Sequence, residues 1–414
     1  MAPLVKVQPP ARAFMLATGP ELIYASAMQI ITDTESLQRY IGGLSGQPYV
    51  AIDTEFLREN TYFPKLCLVQ LAGPGDEGAI IDPLANGIDL QPLLDLMADT
   101  AIIKVFHAAR QDIEIFVNLM GAVPMPLFDT QVAAMVMGFG EQIAYDALVR
   151  KLAGQNIDKT SRFTDWSRRP LSEKQLSYAL SDVTHLRTVY DRMLEDLART
   201  GRAAWVEGEM AVLADISIYS VEPEDAWKRL KARTNKPRFL AVLRELAAWR
   251  ELEAQRRDLP RNRVIRDEAL LEIASDPPES RDKLAVIRSL NRKVADGPFG
   301  TGLMEAVKTA LEQPKESWPK VERSEPPSPA LLPVIELLKV LLKRKCAAHG
   351  VAQKLVCPGP DIEKLAADDA ADIPALKGWR REVFGDDALR LKAGGLGLAI
   401  RGHEVVEITL DAQQ

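Results

Sequence analysis

The chain has 414 residues, 47% hydrophobic and 27% charged, with a formal net charge of -6, the balance of a globular protein and not of a disordered, fibrous or membrane-embedded one. That length calls for more than one domain. Cys67, Cys346 and Cys357 stand far apart with no C-x-x-C pair, which argues against a disulfide framework or a zinc site and fits a reducing compartment.

Residues 1–27 carry Lys6 and Arg12 beside an apolar run too short for a signal peptide, so they read as a poorly ordered leader. Nothing downstream approaches a membrane span, and a cytoplasmic protein is expected. Strand patterns follow at 49–56 (YVAIDTEF), 66–73 (LCLVQLAG), 78–82 (GAIID) and 102–107 (IIKVFH). Helical patterns separate them at TESLQRYIGGL, LQPLLDLMAD and QDIEIFVNLMG. Short turns between the early strands predict antiparallel pairs before the helical crossovers begin, hence a mixed sheet. From about Tyr145 the periodicity is helical, with a long apolar repeat through YALSDVTHLRTVYDRMLEDL.

An acidic, Pro-containing stretch, SIYSVEPEDAW, ends this unit near residue 220. From Lys228 to Arg266 stand thirteen Lys/Arg against four Asp/Glu, a surplus of +9 that leaves -15 for the remainder. A basic segment on an acidic body suits contact with a polyanion, the plainer reading being a solvated helical face. The helical unit at 221–312 gives way to a linker at 313–328, rich in Pro, Ser and charge, and then to a second helical unit at 329–414.

In VAIDTEF, residues 50–56, Asp53 and Glu55 sit two apart on a strand and so share a face. Asp112 opens the helix after KVFHA. Asp182 lies in SYALSDVTHL with Tyr178 one turn before it on the same side. Strand ends and the helices leaving them converge at one edge of an α/β sheet. Four carboxylates there would repel one another unless they caged hard divalent cations, which prefer oxygen ligands. Two such ions roughly 3.5–4 Å apart suit phosphodiester cleavage, activating water and stabilising the leaving oxygen.

In order and context, DTEF, HAARQDIEIF and YALSDV resemble the three motifs of the DEDD superfamily of 3′→5′ exonucleases. The spacing Tyr178-x-x-x-Asp182 resembles the tyrosine subclass, since His185 lies on the wrong side to serve. The runs EFLRENTYFPKLCLVQLA and FTDWSRRPLSEKQLSYALSDV are similar to the ribonuclease D family, and DAWKRLKART through VIRDEALLEIA is similar to its HRDC domain. The segment from 329 resembles a second, more divergent HRDC domain. The resemblance implies an α/β ribonuclease H-like exonuclease domain at 28–220, with a mixed sheet flanked by helices. Two all-α HRDC-like domains would follow, at 221–312 and 329–414.

It further implies two divalent metal ions, Mg²⁺ or Mn²⁺, held by Asp53, Glu55, Asp112 and Asp182. Asp53 would touch both ions, Glu55 and Asp182 the one that activates water, and Asp112 the other, partly through water. Tyr178 would orient the water, because an ordinary phenol pKa near 10 makes it a poor base at neutral pH. Thr54 and Phe56 would lie at the terminal nucleotide.

Other residues carry a plainer alternative. His107 reads as structural and not as a metal ligand; Asp129, in LFDTQ, as a helix N-cap; Asp82, before Pro83, as a turn residue. Arg168 and Arg169, close to the third motif, are taken as substrate-phosphate contacts against a solvated loop. Trp227 and Trp249 are read as core. The expected function is a monomeric exoribonuclease that trims structured RNA, with tRNA precursors implied by the resemblance and no obligate protein partner. The alternatives are a DNA exonuclease, because carboxylates do not read the 2′-hydroxyl, and a nucleic-acid-binding protein without catalysis.

Overall fold

The structure, a computed structural model, describes residues 29–75, 78–158, 160–162, 164–320 and 327–410. The leader at 1–27 and the middle of the 313–328 linker lie outside the described residues.

The first unit runs β1 (Gln29–Ile31), α1 (Thr34–Gly43), β2 (Tyr49–Leu57), β3 (Lys65–Ala72), β4 (Ala79–Ile81), α2 (Gln91–Ala98) and β5 (Ile103–Phe106). It continues through α3 (Arg110–Met120), β6 (Leu127–Asp129), α4 (Thr130–Val136), α5 (Tyr145–Leu152), α6 (Glu173–Thr200) and α7 (Ala203–Leu213). The strands form one sheet in the order β1-β4-β3-β2-β5-β6. β2, β3 and β4 are antiparallel neighbours, while β1–β4, β2–β5 and β5–β6 are parallel, the mixed sheet that the short early turns predict. The four predicted strands correspond to β2 through β5. β1 and β6, three residues each, are not among the predicted strands.

β2 is longer than one of its neighbours. It pairs with β5 only at Tyr49, Val50 and Ala51, yet continues beside β3 to Leu57. Past Ala51 the β5 side is therefore open, and the first turn of α3 comes in beside Thr54. The long helix α6 starts at a capping box made by Ser172 and Gln175 and stops at Gly201, whose φ of 70° a residue with a Cβ adopts less readily. Between these ends it buries Ala179, Val183, Leu186, Val189 and Met193 against the sheet. Ile31, Ile52, Val69, Leu71 and Val105 belong to the same core, each such side chain contributing ~1.5–3 kcal/mol by leaving water.

The second unit comprises α8 (Pro237–Arg257), α9 (Arg261–Val264), α10 (Asp267–Ser275), α11 (Arg281–Ala285), α12 (Arg292–Asp296) and α13 (Pro298–Glu312). They surround a separate core of Leu240, Leu243, Leu246, Leu270, Ile273 and Leu303, with Trp227 and Trp249 packed on it as read. The third unit holds α14 (Leu332–His349), α15 (Gln353–Val356), α16 (Gly359–Ala367), α17 (Gly378–Arg380) and α18 (Asp386–Lys392). It then departs from the all-α expectation. LGLAIR and EVVEIT form an antiparallel pair, β7 (Leu396–Arg401) and β8 (Glu404–Thr409). Their β-branched residues suit a strand, and Gly402, at φ 65°, supplies the tight turn between them.

Both later units grip the first. Asp258, at the end of α8, accepts the backbone N–H groups of Tyr62 and Phe63 at 3.0 Å each, and the Tyr62 hydroxyl donates to Glu251. The β2–β3 loop is thus pinned to the basic helical unit. On the other side Arg202 donates to the carbonyls of Val136, His349 and Gly350, Trp205 stacks on Trp379 at 4.3 Å, and Arg380 pairs with the buried Glu209. The Ala352 N–H reaches the Met135 carbonyl at 3.0 Å.

Gly138 sits in this second seam at φ 82°, and a Cβ there would meet the Gly350 carbonyl oxygen at 2.6 Å. Gly46 has a similar φ of 77° with nothing within 4 Å of its would-be Cβ. Gly46→Ala should therefore lose only the ~1–2 kcal/mol of a left-handed backbone. Gly138→Ala should lose more than this in thermal denaturation and should also accelerate hydrogen exchange at the Ala352 amide.

Candidate active site

Alternation along β2 turns Asp53 and Glu55 to the face covered by α6 and Thr54 to the opposite one. On α6, Tyr178 and Asp182 are one turn apart and face the strand. Carboxylate oxygens of Asp53, Glu55 and Asp182 lie within 4.8 Å of one another. Asp112 reaches the group from α3, where the Thr54 hydroxyl donates to its Oδ1. All five predicted site residues, together with Thr54 and Phe56, line one cleft of about 420 Å³. Thr54 is 5% exposed and donates its hydroxyl to Asp112, so its side chain supports a carboxylate.

Charge dominates this cleft. Burial, and then the charge of neighbouring carboxylates, drives Glu55 up to about 10 and holds Asp53 and Asp112 well above the usual carboxylate range. Burial raises Asp182 to about 7, against the opposing pull of its hydrogen bond from Tyr178 and of the Arg162 guanidinium. Burial and the carboxylates beside it also push the Tyr178 phenol up, so it stays protonated.

Two residues escaped the sequence reading. Arg162 lines the cleft and is the cation whose charge is felt by both Glu55 and Asp182. Its run, TSRFTDW, carries no periodicity that could have singled it out. Tyr145, at the start of α5, donates its hydroxyl to the Asp182 carbonyl and rests beside the His107 ring at 5.2 Å between centroids. Only the tertiary arrangement brings it there.

Arg168 and Arg169 stand apart from the cleft. The Arg169 guanidinium makes a two-pronged pair with Asp82, at 2.6 Å for each prong, and donates to the Cys67 and Trp166 carbonyls. It ties the loop before α6 to the end of β4, and neither Arg169 nor Arg168 lines the cleft. Arg168 pairs with Asp165 and its side chain is 84% exposed. Asp82 keeps its turn role, accepting the Leu84 N–H. Asp129 caps α4 by accepting the Gln131 and Val132 N–H groups, as its sequence context suggests. His107 bonds Thr130 through Nδ1 at 3.0 Å; it lines the cleft but stands outside the carboxylate group.

Several buried carboxylates with raised pKa values, and one guanidinium beside them, suit oxygen-seeking divalent ions far better than a thiolate-seeking metal. D-x-E on a central strand, Asp in the first turn of α3 and Tyr-x-x-x-Asp on a long helix define a 3′→5′ exonuclease of the DEDD class. A 3′-5′ exonuclease family matches residues 28–198, and the HRDC domain family matches 239–307. The ribonuclease D of Gluconacetobacter diazotrophicus is 52% identical over 92% of this chain and 96% of its own length. That of Nitrobacter hamburgensis is 50% identical over 92% of this chain and 99% of its own. The crystal structure of Escherichia coli RNase D, described as an exoribonuclease involved in structured RNA processing, matches with a TM-score of 0.76 at 29% identity. It covers 89% of this chain and 99% of that one. The chain belongs to the ribonuclease D family. It is a 3′→5′ exoribonuclease that uses divalent metal.

The raised carboxylates set the pH response. Unfolded, these groups have pKa values near 4. Between that pH and their folded values the native state holds more protons, so the metal-free protein should lose stability as pH rises from about 4 through 7. Bound cations must displace those protons. The melting-temperature gain from 5 mM Mn²⁺ should accordingly be larger at pH 8 than at pH 6, as differential scanning fluorimetry in paired buffers would measure.

Proposed function

We propose that this exoribonuclease trims structured RNA precursors, tRNA precursors among them, from the 3′ end with the help of two divalent ions, Mg²⁺ or Mn²⁺. The observation that carries the reading is the convergence of Asp53, Glu55, Asp112 and Asp182 on one cleft. Asp53 would serve both ions, Glu55 and Asp182 the first of them, and Asp112 the second. When bound, the ions activate the attacking water and neutralise charge on the departing oxygen.

Tyr178 keeps its proton and so orients that water without acting as its base. Water adds to phosphorus, the 3′-oxygen of the penultimate nucleotide leaves with a proton, and a nucleoside 5′-monophosphate is released. Thr54, through its backbone, and Phe56 bound the place of the terminal nucleotide, and Arg162 meets its phosphate. The similarity to an enzyme of structured RNA processing supports this class of substrate.

The same reading divides the chain into the exonuclease domain at 28–220, a first HRDC domain at 221–312, the linker at 313–328 and a divergent HRDC-like domain at 329–414. Three separate apolar cores support that division. Among the described residues no helix is long and apolar enough to cross a membrane; the proposal places the enzyme in the cytoplasm as a monomer without an obligate partner protein.

The basic segment holds RNA by its phosphates, though not with all thirteen cations. Lys228, Arg250, Arg256, Arg257 and Arg261 are paired with acids of their own unit. Lys231, Arg233, Lys236 and Arg238 are exposed around the start of α8 and carry no ion pair among the described residues.

Asp53→Asn should release no 5′-monophosphate from a 3′-extended tRNA precursor in Mn²⁺. It should nevertheless melt higher than the wild type in chelator, because one crowded acid is gone. Substantial cleavage by the pure variant would overturn the cage, and equal rates on matched RNA and DNA strands would overturn the substrate class.

Replacing Lys231, Arg233, Lys236 and Arg238 by Ser should weaken precursor binding and leave turnover of a short oligonucleotide unchanged. The plot of log affinity against log salt should flatten by ~0.7–0.9 for each phosphate that these side chains no longer neutralise.

A further inference from the structure

The turn from β5 into α3 delivers Asp112 to the cleft, and it is an unusual turn. Ala108 occupies the left-handed region at φ 58°, where a residue with a Cβ is strained. α3 has no side-chain cap from its own Ala109. The missing cap comes from elsewhere in the chain. Asp129, 2% exposed, accepts the Ala108 N–H through Oδ1 at 3.0 Å and the Ala109 N–H through Oδ2 at 2.9 Å. The same carboxylate caps α4 through the Gln131 and Val132 N–H groups. Its neighbour Thr130 donates to the Phe106 carbonyl and meets His107 Nδ1, each at 3.0 Å. Two adjacent residues thus clasp four consecutive ones, 106 to 109.

Such a clasp has a mechanical reason. A Cβ-bearing residue leaves the left-handed region readily unless its surroundings oppose the change. If Ala108 relaxed, α3 would start in a new direction and carry Asp112 away from Asp53. Thr54 fixes the tip of Asp112 through one hydrogen bond. It cannot fix the helix that bears it.

We infer that Asp129 is a positioning residue for the metal-binding cleft, its carboxylate holding Ala108 left-handed so that α3 presents Asp112 to the divalent ion. The inference rests on the reading of Asp112 as a metal-binding residue. Both Asp129 oxygens accept backbone N–H groups, and the residue stands outside the carboxylate group that could share an ion.

The test uses the full-length protein and measures Mn²⁺ binding by isothermal titration calorimetry, beside turnover of a short RNA. Asp129→Asn keeps one acceptor oxygen and turns an NH₂ group towards an N–H donor, so the turn loses a bond while the residue's volume is kept. Mn²⁺ binding should weaken by about 10–100-fold, the usual effect of losing a group that orients a metal ligand. Adding Ala108→Gly should recover a large part of that loss relative to the single variant, because glycine adopts positive φ without steric cost. A mere cap of α4 would not respond to residue 108.

If Asp129→Asn does not fold, Thr130→Val, which unfastens the other half of the clasp, is measured in the same way. It too should weaken Mn²⁺ binding and be relieved by Ala108→Gly. Unchanged Mn²⁺ binding in the folded variant, or a loss that Ala108→Gly leaves untouched, overturns the inference. Asp112→Asn serves as the reference. If it leaves Mn²⁺ binding intact, the metal-binding reading of Asp112 falls, and the inference falls with it. If it weakens binding while Asp129→Asn does not, the inference alone falls.

Discussion

The burial of several carboxylates side by side is the constraint around which this molecule is arranged. The rise of Asp182 to about 7 corresponds by itself to on the order of 4 kcal/mol against its charged form. Glu55 is raised further, and Asp53 and Asp112 stand well above their ordinary range. No local sequence would choose to bring them together. The surroundings impose it: β2 is paired with β3 from Ala51 to Leu57, α6 is capped at both ends and packed on the sheet, and α3 is fastened where it begins. The apolar core opposes a repulsion that divalent cations relieve.

Rigidity of that kind needs support at a distance. The β2–β3 loop, which continues the strand bearing Asp53 and Glu55, is pinned by Asp258 and Glu251 of the basic helical unit. Arg169, which the sequence offers as a phosphate contact, instead locks the loop entering α6 onto Asp82. Both arrangements use charge for structure close to a site that uses charge for chemistry. The difference lies in pairing: Asp82 and Arg169 satisfy each other, whereas Asp53, Glu55 and Asp182 have too little positive charge beside them.

Much of this was legible in the sequence because it depends on short-range order. Asp53 and Glu55 on a strand, Tyr178 and Asp182 on a helix, and Asp129 as a cap all follow from periods of two and of about four residues. The mixed sheet follows from the brevity of the early turns. What the sequence concealed depends on partners far along the chain. Arg169 meets Asp82 across 87 positions, and Tyr145 meets the Asp182 carbonyl across 37. Arg162 has no pattern of its own. The β7–β8 ribbon was hidden for another reason: a resemblance to helical domains outweighed the alternation in LGLAIR and EVVEIT.

The unequal lengths of β2 and β5 have a consequence beyond this site. Where a sheet loses a strand partway along its neighbour, it acquires a notch whose floor is main chain and whose walls are whatever enters next. Here the notch begins after Ala51 and its wall is the start of α3. The position of the cleft is therefore encoded by where pairing stops, not by which residues are acidic. A grafted DTEF on a strand paired to its full extent on both sides would display the same carboxylates against a closed sheet, with no room for a nucleotide to approach them. Anyone moving this chemistry to another scaffold has to copy an absence, the missing continuation of one short strand.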